Sequence, residues 1–600
     1  VKKTDLNSVI GFTLIGLILL GYSYFNSTEE PAPATIDNVA GDTVAPSELQ
    51  EAEPIIAQEE SALPDSLQNL KLREEFGLFY SNVQTAAEEQ FFTLENEKLR
   101  LLFSSKGARI VEAELKGYQT YDSLPLMLVN GNQDWQFIMQ GDKLYESSDL
   151  YFSVVANDDK IVFEAPSTSG SPLKIEYRLI PDSYQLELSS DMSGLGFSES
   201  AIDWEMTALR HERNLDTENQ QTSLQYLLAE KKKHKELSAT SEDEEEGDGV
   251  KWLAYKQQFF TSILLADKPF SKARMSSFPM EDEQRTKRFA SIIQLADKDQ
   301  FEGKLIFTPN QYDLLKAHGE EFEEIIPLGW GIFGWINRGV VINVFQQLEK
   351  LGLNYGLIIL IMALLIKVVL LPLTYTSYLS MAKMRVLKPE IDELNEKFAD
   401  KDPMKKQSAM MELYRKAGVN PLGGCIPVLL QFPILIAVFR FFPASIELRQ
   451  KSFLWADDLS TYDSIYALPF DIPFYGDHVS LFTLLMTIST LIYTYYNNQL
   501  TQQNNQFPQL KYMMYLMPVM FLGFFNNYAA GLSYYYFVAN MLTFGQQFAI
   551  RNMVNDEAIH AKLQENKKKP KKQSKFQQRL EKMAEQQKEA AKSNRKMRRQ

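Results

Sequence analysis

Residues 353–372, LNYGLIILIMALLIKVVLLP, form a predominantly apolar run whose single charge is Lys367. Crossing a hydrocarbon core of about 30 Å as a helix takes on the order of 20 apolar residues, so the run has the length and composition of a membrane span. A Lys near the centre of a span costs roughly 2.5–3.5 kcal/mol on insertion scales. Two readings of that cost stand side by side. Either Lys367 lies far enough into the C-terminal half of the run to snorkel its ammonium to the next aqueous boundary, or the charge is kept for work inside the membrane.

The remaining apolar runs are shorter or carry Pro and polar residues: 9–25, 425–443, 479–496, 512–528 and 529–550, which with 353–375 make six predicted spans. The 9–25 run follows Lys2 and Lys3 and reads as a signal peptide or an uncleaved anchor, the bulky Tyr22, Tyr24 and Phe25 at its end favouring the anchor. Charge is segregated. The chain carries a net −15, yet its stretch 551–600 holds sixteen Lys and Arg against six acids. If every run crosses, the basic residues of 1–8, 376–424, 497–511 and 551–600 share one side, which the positive-inside rule makes the cytoplasm. The regions 26–326 and 444–478 then face a periplasm-like space. A single cysteine, Cys425, excludes an intrachain disulfide and a cysteine-rich metal site, and no cofactor or metal is expected.

Residues 26–89 are acidic and rich in Ala and Pro, the composition of a solvated linker. From 90 to 326 the pattern changes to short alternating segments bounded by Gly, Pro, Asn and Asp, including LKIEYRLI and YQLELSS joined by Pro181-Asp182-Ser183, a hairpin signal. So many strands at such spacing predict an all-β sandwich, with the acidic run 238–249 expected as a charged loop interrupting it. Residues 327–352 read as an amphipathic helix lying on the membrane, with Trp330, Trp335, Arg338 and Lys350 placed as at an interface.

The cytoplasmic segment 376–424 predicts a helical hairpin. Met381, Met384, Leu387, Ile391, Leu394 and Phe398 recur at helical spacing, Asp402-Pro403 opens a second arm, and Gly418 closes it. Its methionines, Met381, Met384, Met410 and Met411 among them, serve either as packing between the arms or as an adaptable contact surface for apolar segments. Gln431, Tyr535, Tyr536 and Asn540 put polar groups at membrane depth. They either hydrogen-bond between helices or face, with Lys367, one hydrated concavity. His211, His234 and His318 fall in no catalytic spacing.

The series PLTYTSYLSMAKMRVLKPEI, NPLGGCIPVLLQFPI, SIELRQKSFLWADDLS and GLSYYYFVAN resembles the YidC family of membrane-protein insertases, at motif level over about 353–551 and in layout over the whole chain. The resemblance implies a polytopic α-helical membrane protein with a large periplasmic β-super-sandwich similar to sugar mutarotases. It implies insertion and chaperoning of nascent membrane proteins in the inner membrane, alone or beside the Sec translocon. In that family a basic residue, usually Arg, sits in a hydrophilic groove, and Lys367 falls at its position, keeping the charge but losing the planar fork. The tail segments KKKPKK and RKMRR are expected to contact either ribosomal RNA or anionic membrane lipids. A transporter or channel with an intramembrane Lys, and a periplasmic sugar-acting enzyme, are the alternatives.

Overall fold

A computed structural model describes residues 65–84, 88–230, 233–398, 403–419, 426–501 and 508–568; the predicted anchor 9–25, and with it most of the acidic linker and of the basic tail, lies outside the described residues. The chain separates into two compact units, Val1–Pro327 with Ala444–Gln450, and Leu328–Pro443 with Lys451–Gln600.

The first unit is predominantly β, with a few short helices. β1 (Phe91–Glu95), β2 (Leu99–Ser104), β3 (Arg109–Gln119) and β4 (Pro125–Asn130) form a four-stranded antiparallel sheet in chain order. A thirteen-stranded sheet follows. Its strands are β5 (Gln133–Gln140), β6 (Leu144–Glu146), β7 (Ser153–Ala156), β8 (Lys160–Ala165), β9 (Leu173–Leu179), β10 (Gln185–Asp191) and β11 (Glu199–Leu209), then β12 (Ser223–Leu228), β13 (Lys233–Glu236), β14 (Asp243–Lys256), β15 (Phe260–Pro279), β16 (Arg285–Gln294) and β17 (Gln300–Pro309). The main path runs β6-β5-β11-β16-β15-β17-β10-β9-β8-β7, with β14, β12 and β13 branching from β15. β9 and β10 pair across Pro181-Asp182-Ser183, Asp182 taking a left-handed φ of 49°, as the hairpin signal predicts.

The two sheets pack face to face through inward side chains. Phe103 of β2 lies 4.9 Å, centroid to centroid, from Tyr177 of β9, and Tyr118 of β3 lies 5.2 Å from Phe260 of β15. Deeper in the large sheet, Trp204 stacks on Tyr255 at 4.0 Å and Tyr255 on Phe289 at 4.9 Å. The Tyr255 hydroxyl donates to the Trp204 carbonyl at 2.6 Å, so the buried hydroxyl is satisfied. Burying each such side chain contributes roughly 1.5–3 kcal/mol.

Two sequence expectations fail here for identifiable reasons. The acidic run is no loop: from Asp243 it is the first half of β14. Alternation sends its carboxylates to opposite faces, and on both faces cations from other strands meet them: Glu246 pairs with Lys272 at 2.7 Å and Arg274 at 2.8 Å, and Glu245 with Lys235 at 2.7 Å. Part of the expected linker is also ordered. Residues Asp65–Phe76 and Tyr80–Gln84 are helical, Phe79 is buried against Tyr145 at 5.7 Å, and Asn82 exchanges hydrogen bonds with both backbone groups of Tyr151.

Seven residues from the predicted 444–478 loop are built into this β unit. Arg449, with a side chain 3% exposed, donates from Nε to Glu212 Oε1 at 2.7 Å and from Nη2 to the Gln119 carbonyl at 2.6 Å, and its guanidinium lies 5.1 Å from the Phe260 ring centre. Behind Glu212, buried Glu218 accepts from the backbone N–H groups of His211 and Glu212 at 2.9 and 3.1 Å. Burial, then the charge of Glu212, pushes the Glu218 carboxyl up. Removing one member of a buried pair costs about 3–5 kcal/mol, because the other is left uncompensated, whereas replacing both can be near neutral. Arg449→Met should therefore destabilise the detergent-solubilised chain by that amount in denaturant titrations, and Arg449→Met/Glu212→Met should recover most of the loss; a double variant as unstable as the single one would contradict this.

The second unit is helical. Gly331–Ile336 and Ile342–Glu349 are joined by a π-helical turn at Asn337–Val341. The buried Asn337 amide there donates to the carbonyls of Leu328 and Ala437, both at 2.8 Å, and Trp330 and Trp335 are exposed. Then come the Lys367 helix (Tyr355–Val386), the hairpin arms Lys388–Lys397 and Pro403–Ala417, and the Gln431 helix (Ile426–Ala444). A two-stranded β18 (Tyr466–Ile472) and β19 (Gly476–Val479) precedes the Thr483 helix (Leu481–Thr501), the Met520 helix (Pro508–Asn526), the Asn540 helix (Ala530–Met553) and a last helix, Asp556–Lys568.

Candidate functional site around Lys367

The Lys367 helix alone, among the described residues, is both long and apolar enough to cross a membrane; shorter apolar stretches occur at Gln431–Ala444, Leu481–Tyr496 and Met513–Asn526. Asn354 caps it by accepting from Gly356 N at 2.9 Å. The helix then runs unbroken past the predicted end of the span at 375 into the hairpin. Its two faces differ. Leu360, Leu364, Leu365, Val368 and Val369 are exposed, Val369 by 75%, whereas Ile359, Ala363 and Lys367, four residues apart, are buried, Lys367 being 6% exposed. The charge thus sits on the face turned into the bundle, where the helix packs against the Thr483 and Asn540 helices.

No carboxylate among the described residues lies within ion-pair distance of the Lys367 ammonium. One neutral polar side chain reaches this turn from the Asn540 helix. Gln546 Nε2 donates to the Lys367 carbonyl at 3.0 Å, and its buried Oε1 has no hydrogen-bond partner among the described residues. Two helical turns away, Asn540 Nδ2 donates to Ser489 Oγ at 2.9 Å and Thr490 Oγ1 at 3.0 Å. Further along, Thr483 Oγ1 and Ser533 Oγ are 3.0 Å apart, and the Oγ1 of Thr487 is buried without a partner among the described residues. Polar groups from three helices therefore line one side of the bundle.

The structure brings Lys367 and Asn540 onto helices that pack together, and it places Tyr535 and Tyr536 nearer the other end of the Asn540 helix. Tyr535 packs 5.8 Å from Phe442, and the Tyr536 hydroxyl donates to the Leu435 carbonyl at 3.3 Å. Gln431 is half-buried on the Gln431 helix and hydrogen-bonds to none of the other four among the described residues. Ser489 and Thr490 escaped the sequence reading, though TIST within an apolar run was the available signal.

In the hairpin, Met384 is buried with Leu387, Tyr414, Ala417, Val419 and Leu563, and Met381 and Met410 pack on the same cluster; Met411 is exposed. Leu563 and Ile559 come from Asp556–Lys568, so the start of the predicted basic tail is a helix that covers the methionine stripe. Arg385 fixes it from Nη2, which donates to both carboxylate oxygens of Asp556 at 2.7 and 2.8 Å.

The β unit shows no comparable constellation. His211, His234 and His318 bond separately to Met127 O, Gln225 and Gln185. Among the described residues no group of three or more His, Cys, Asp or Glu is arranged to hold a metal. Lys256 and Lys287 are buried against backbone carbonyls of Gln221 and of Asn219, Thr222 and Ala239, and burial pushes them down to about 8 and about 7. They tie 219–222 and 239 to the sheet.

A β domain followed by a helical unit with a polar-lined, cation-bearing interior is the layout of a two-part membrane protein, and both parts have counterparts. Residues 92–342 match the model described as YidC periplasmic domain, and 346–558 match the one described as 60Kd inner membrane protein. The membrane protein insertase YidC of Parabacteroides distasonis is 39% identical, covering 94% of this chain and 95% of its own; that of Porphyromonas gingivalis is 36% identical at the same coverage. The chain belongs to the YidC family of membrane protein insertases. Its relatives are named as insertases, not enzymes. Among solved structures, YidC from Thermotoga maritima is 14% identical with a TM-score of 0.26, covering 76% of this chain and 98% of its own. A galactose mutarotase-like protein from Lactobacillus casei is 11% identical with a TM-score of 0.27, covering 37% of this chain and all of its own. Scores this low decide nothing about the fold.

The polar lining predicts a small stability effect. Asn540→Leu removes two hydrogen bonds between helices, worth about 0.6 and at most about 1.7 kcal/mol each where such bonds lie in membrane helices. Thermal unfolding in detergent should show a loss in that range, and a loss above about 4 kcal/mol would mean that Asn540 holds the bundle together.

Proposed function

We propose that Lys367 and the polar side chains beside it form a hydrated groove through which nascent proteins enter the inner membrane. The observation that carries this is a cation on the interior face of an apolar helix with no carboxylate partner among the described residues. Isolated, such a charge costs several kcal/mol; beside water and neutral polar groups the cost falls, and its positive field is available to an incoming negative group. Lys367 attracts the acidic outer segment of a substrate, and Gln546, Asn540 and Gln431 solvate it. Tyr535 and Tyr536 flank the far end of its path. The apolar segment then leaves along the exposed side of the bundle, where burial in lipid drives the final step.

In this proposal the chain crosses six times, with both termini in the cytoplasm and the β unit in the periplasm. The hairpin receives the substrate at exposed Met411, with Met381, Met384 and Met410 shaping the arm beneath it. The basic tail meets ribosomal RNA or anionic lipid, and insertion runs alone or beside the Sec translocon.

Reconstituted into liposomes with a small acidic-tailed membrane protein as substrate, Lys367→Arg should retain insertion. Lys367→Ala should slow it about tenfold, equivalent to about 1.4 kcal/mol, and Lys367→Glu more. Insertion by Lys367→Glu equal to the native chain for every substrate would overturn the charge-attraction role.

A further inference from the structure

The hairpin β18–β19 leaves its apolar side chains in the open. Tyr466, Phe470 and Ile472, two or four residues apart on β18, are exposed, as is Phe474 in the turn, by 89%. A lone two-stranded hairpin is marginal in water, and an exposed cluster of this kind marks a surface that meets something.

The turn is nonetheless held firmly. Fully buried Asn526, at the end of the Met520 helix, donates from Nδ2 to the carbonyls of Tyr475 and His478 at 2.9 and 2.8 Å and accepts at Oδ1 from Ser480 N at 3.0 Å. His478 Nε2 lies 3.0 Å from the Asn526 carbonyl, and its ring stacks on Tyr462 at 3.9 Å. Two glycines permit the approach. A Cβ on Gly523 would lie 2.7 Å from the Phe474 carbonyl oxygen, and Gly476 has φ +101° with Asn527 Oδ1 2.8 Å from where a Cβ would be. The exposed aromatics are thus fixed at one end of the Met520 helix, whose Leu516, Met517, Met520, Phe521 and Phe524 are exposed too.

We infer that this hairpin is a membrane-interface anchor: Tyr466, Phe470, Ile472 and Phe474 enter the boundary between headgroups and acyl chains at the Asn526 end of the bundle. The occupant is lipid because the patch continues the exposed apolar face of a helix that the membrane reading turns to lipid, on which the inference rests. Tyr is enriched at that depth, and Phe is among the residues that interfacial helices bury on their apolar face. Segment 465–480, IYALPFDIPFYGDHVS, contains Asp471 and Asp477 but no Lys or Arg. Binding is therefore by apolar burial and does not depend on anionic headgroups.

The test uses the full chain in a Cys425→Ser background, reconstituted in phosphatidylcholine liposomes, with Phe470→Cys or Phe474→Cys carrying an environment-sensitive fluorophore. Both positions are exposed, so labelling spares the packed core. Blue-shifted emission, quenching by shallow spin-labelled lipid and resistance to aqueous iodide are expected, unchanged when anionic lipid is added. Iodide-quenched emission at both sites, while a Val369→Cys label is lipid-quenched, would overturn the anchor and leave the membrane reading standing. Water exposure at Val369 as well would overturn both. Shielding that appears only at high protein density, or only in native membranes, would assign the patch to a second copy or another protein and overturn the lipid assignment.

Discussion

One ammonium on the inward face of an apolar helix is the constraint from which the helical unit follows. Had Lys367 lain one residue further on, it would share the exposed face with Val368 and Val369 and need only reach for an aqueous boundary. At its actual position the helix must place polar groups around it. The Asn540 helix supplies Gln546, which bonds the Lys367 carbonyl, and two turns away Asn540 bonds Ser489 and Thr490; no carboxylate among the described residues pairs with the ammonium. A neutral setting leaves the positive field unspent; an Asp or Glu there would have stabilised the fold and cancelled the field.

Two of the buried cations, Arg449 in the β unit and Lys367 in the helical unit, contrast. Arg449 in the β unit meets a carboxylate, a carbonyl and an aromatic face, the arrangement of a structural group. Lys367 has none of these among the described residues. Arg suits the first role because its planar fork reaches several acceptors at once, and Lys suffices in the second if only a point charge is needed.

Local patterns were legible in the sequence, and long-range pairings were not. The apolar run at 353–372, the hairpin at Pro181-Asp182-Ser183 and the paired arms of the cytoplasmic hairpin each follow from neighbours in the chain. The acidic run was misread because the cations that make it a strand, Lys272 and Arg274, lie on β15. Arg449 and Glu212 are 237 residues apart, so neither announces the other. Asn526, 48 residues from the His478 carbonyl to which it donates, is the clamp of a hairpin hidden inside a predicted loop. Of the candidate site, the charge itself and Asn540 were visible from composition, while the inward orientation of Lys367 needed the partner helices.

The central claim is that the acidic outer segment of a substrate travels past the inward face of the Lys367 helix. It is tested most directly by placing a photoreactive residue in that segment of an arrested nascent chain and mapping its cross-links on the unmodified insertase. The account predicts cross-links to the Lys367, Thr483 and Asn540 helices on their inward faces. Cross-links confined to the lipid-exposed face around Val368 and Val369 would contradict it.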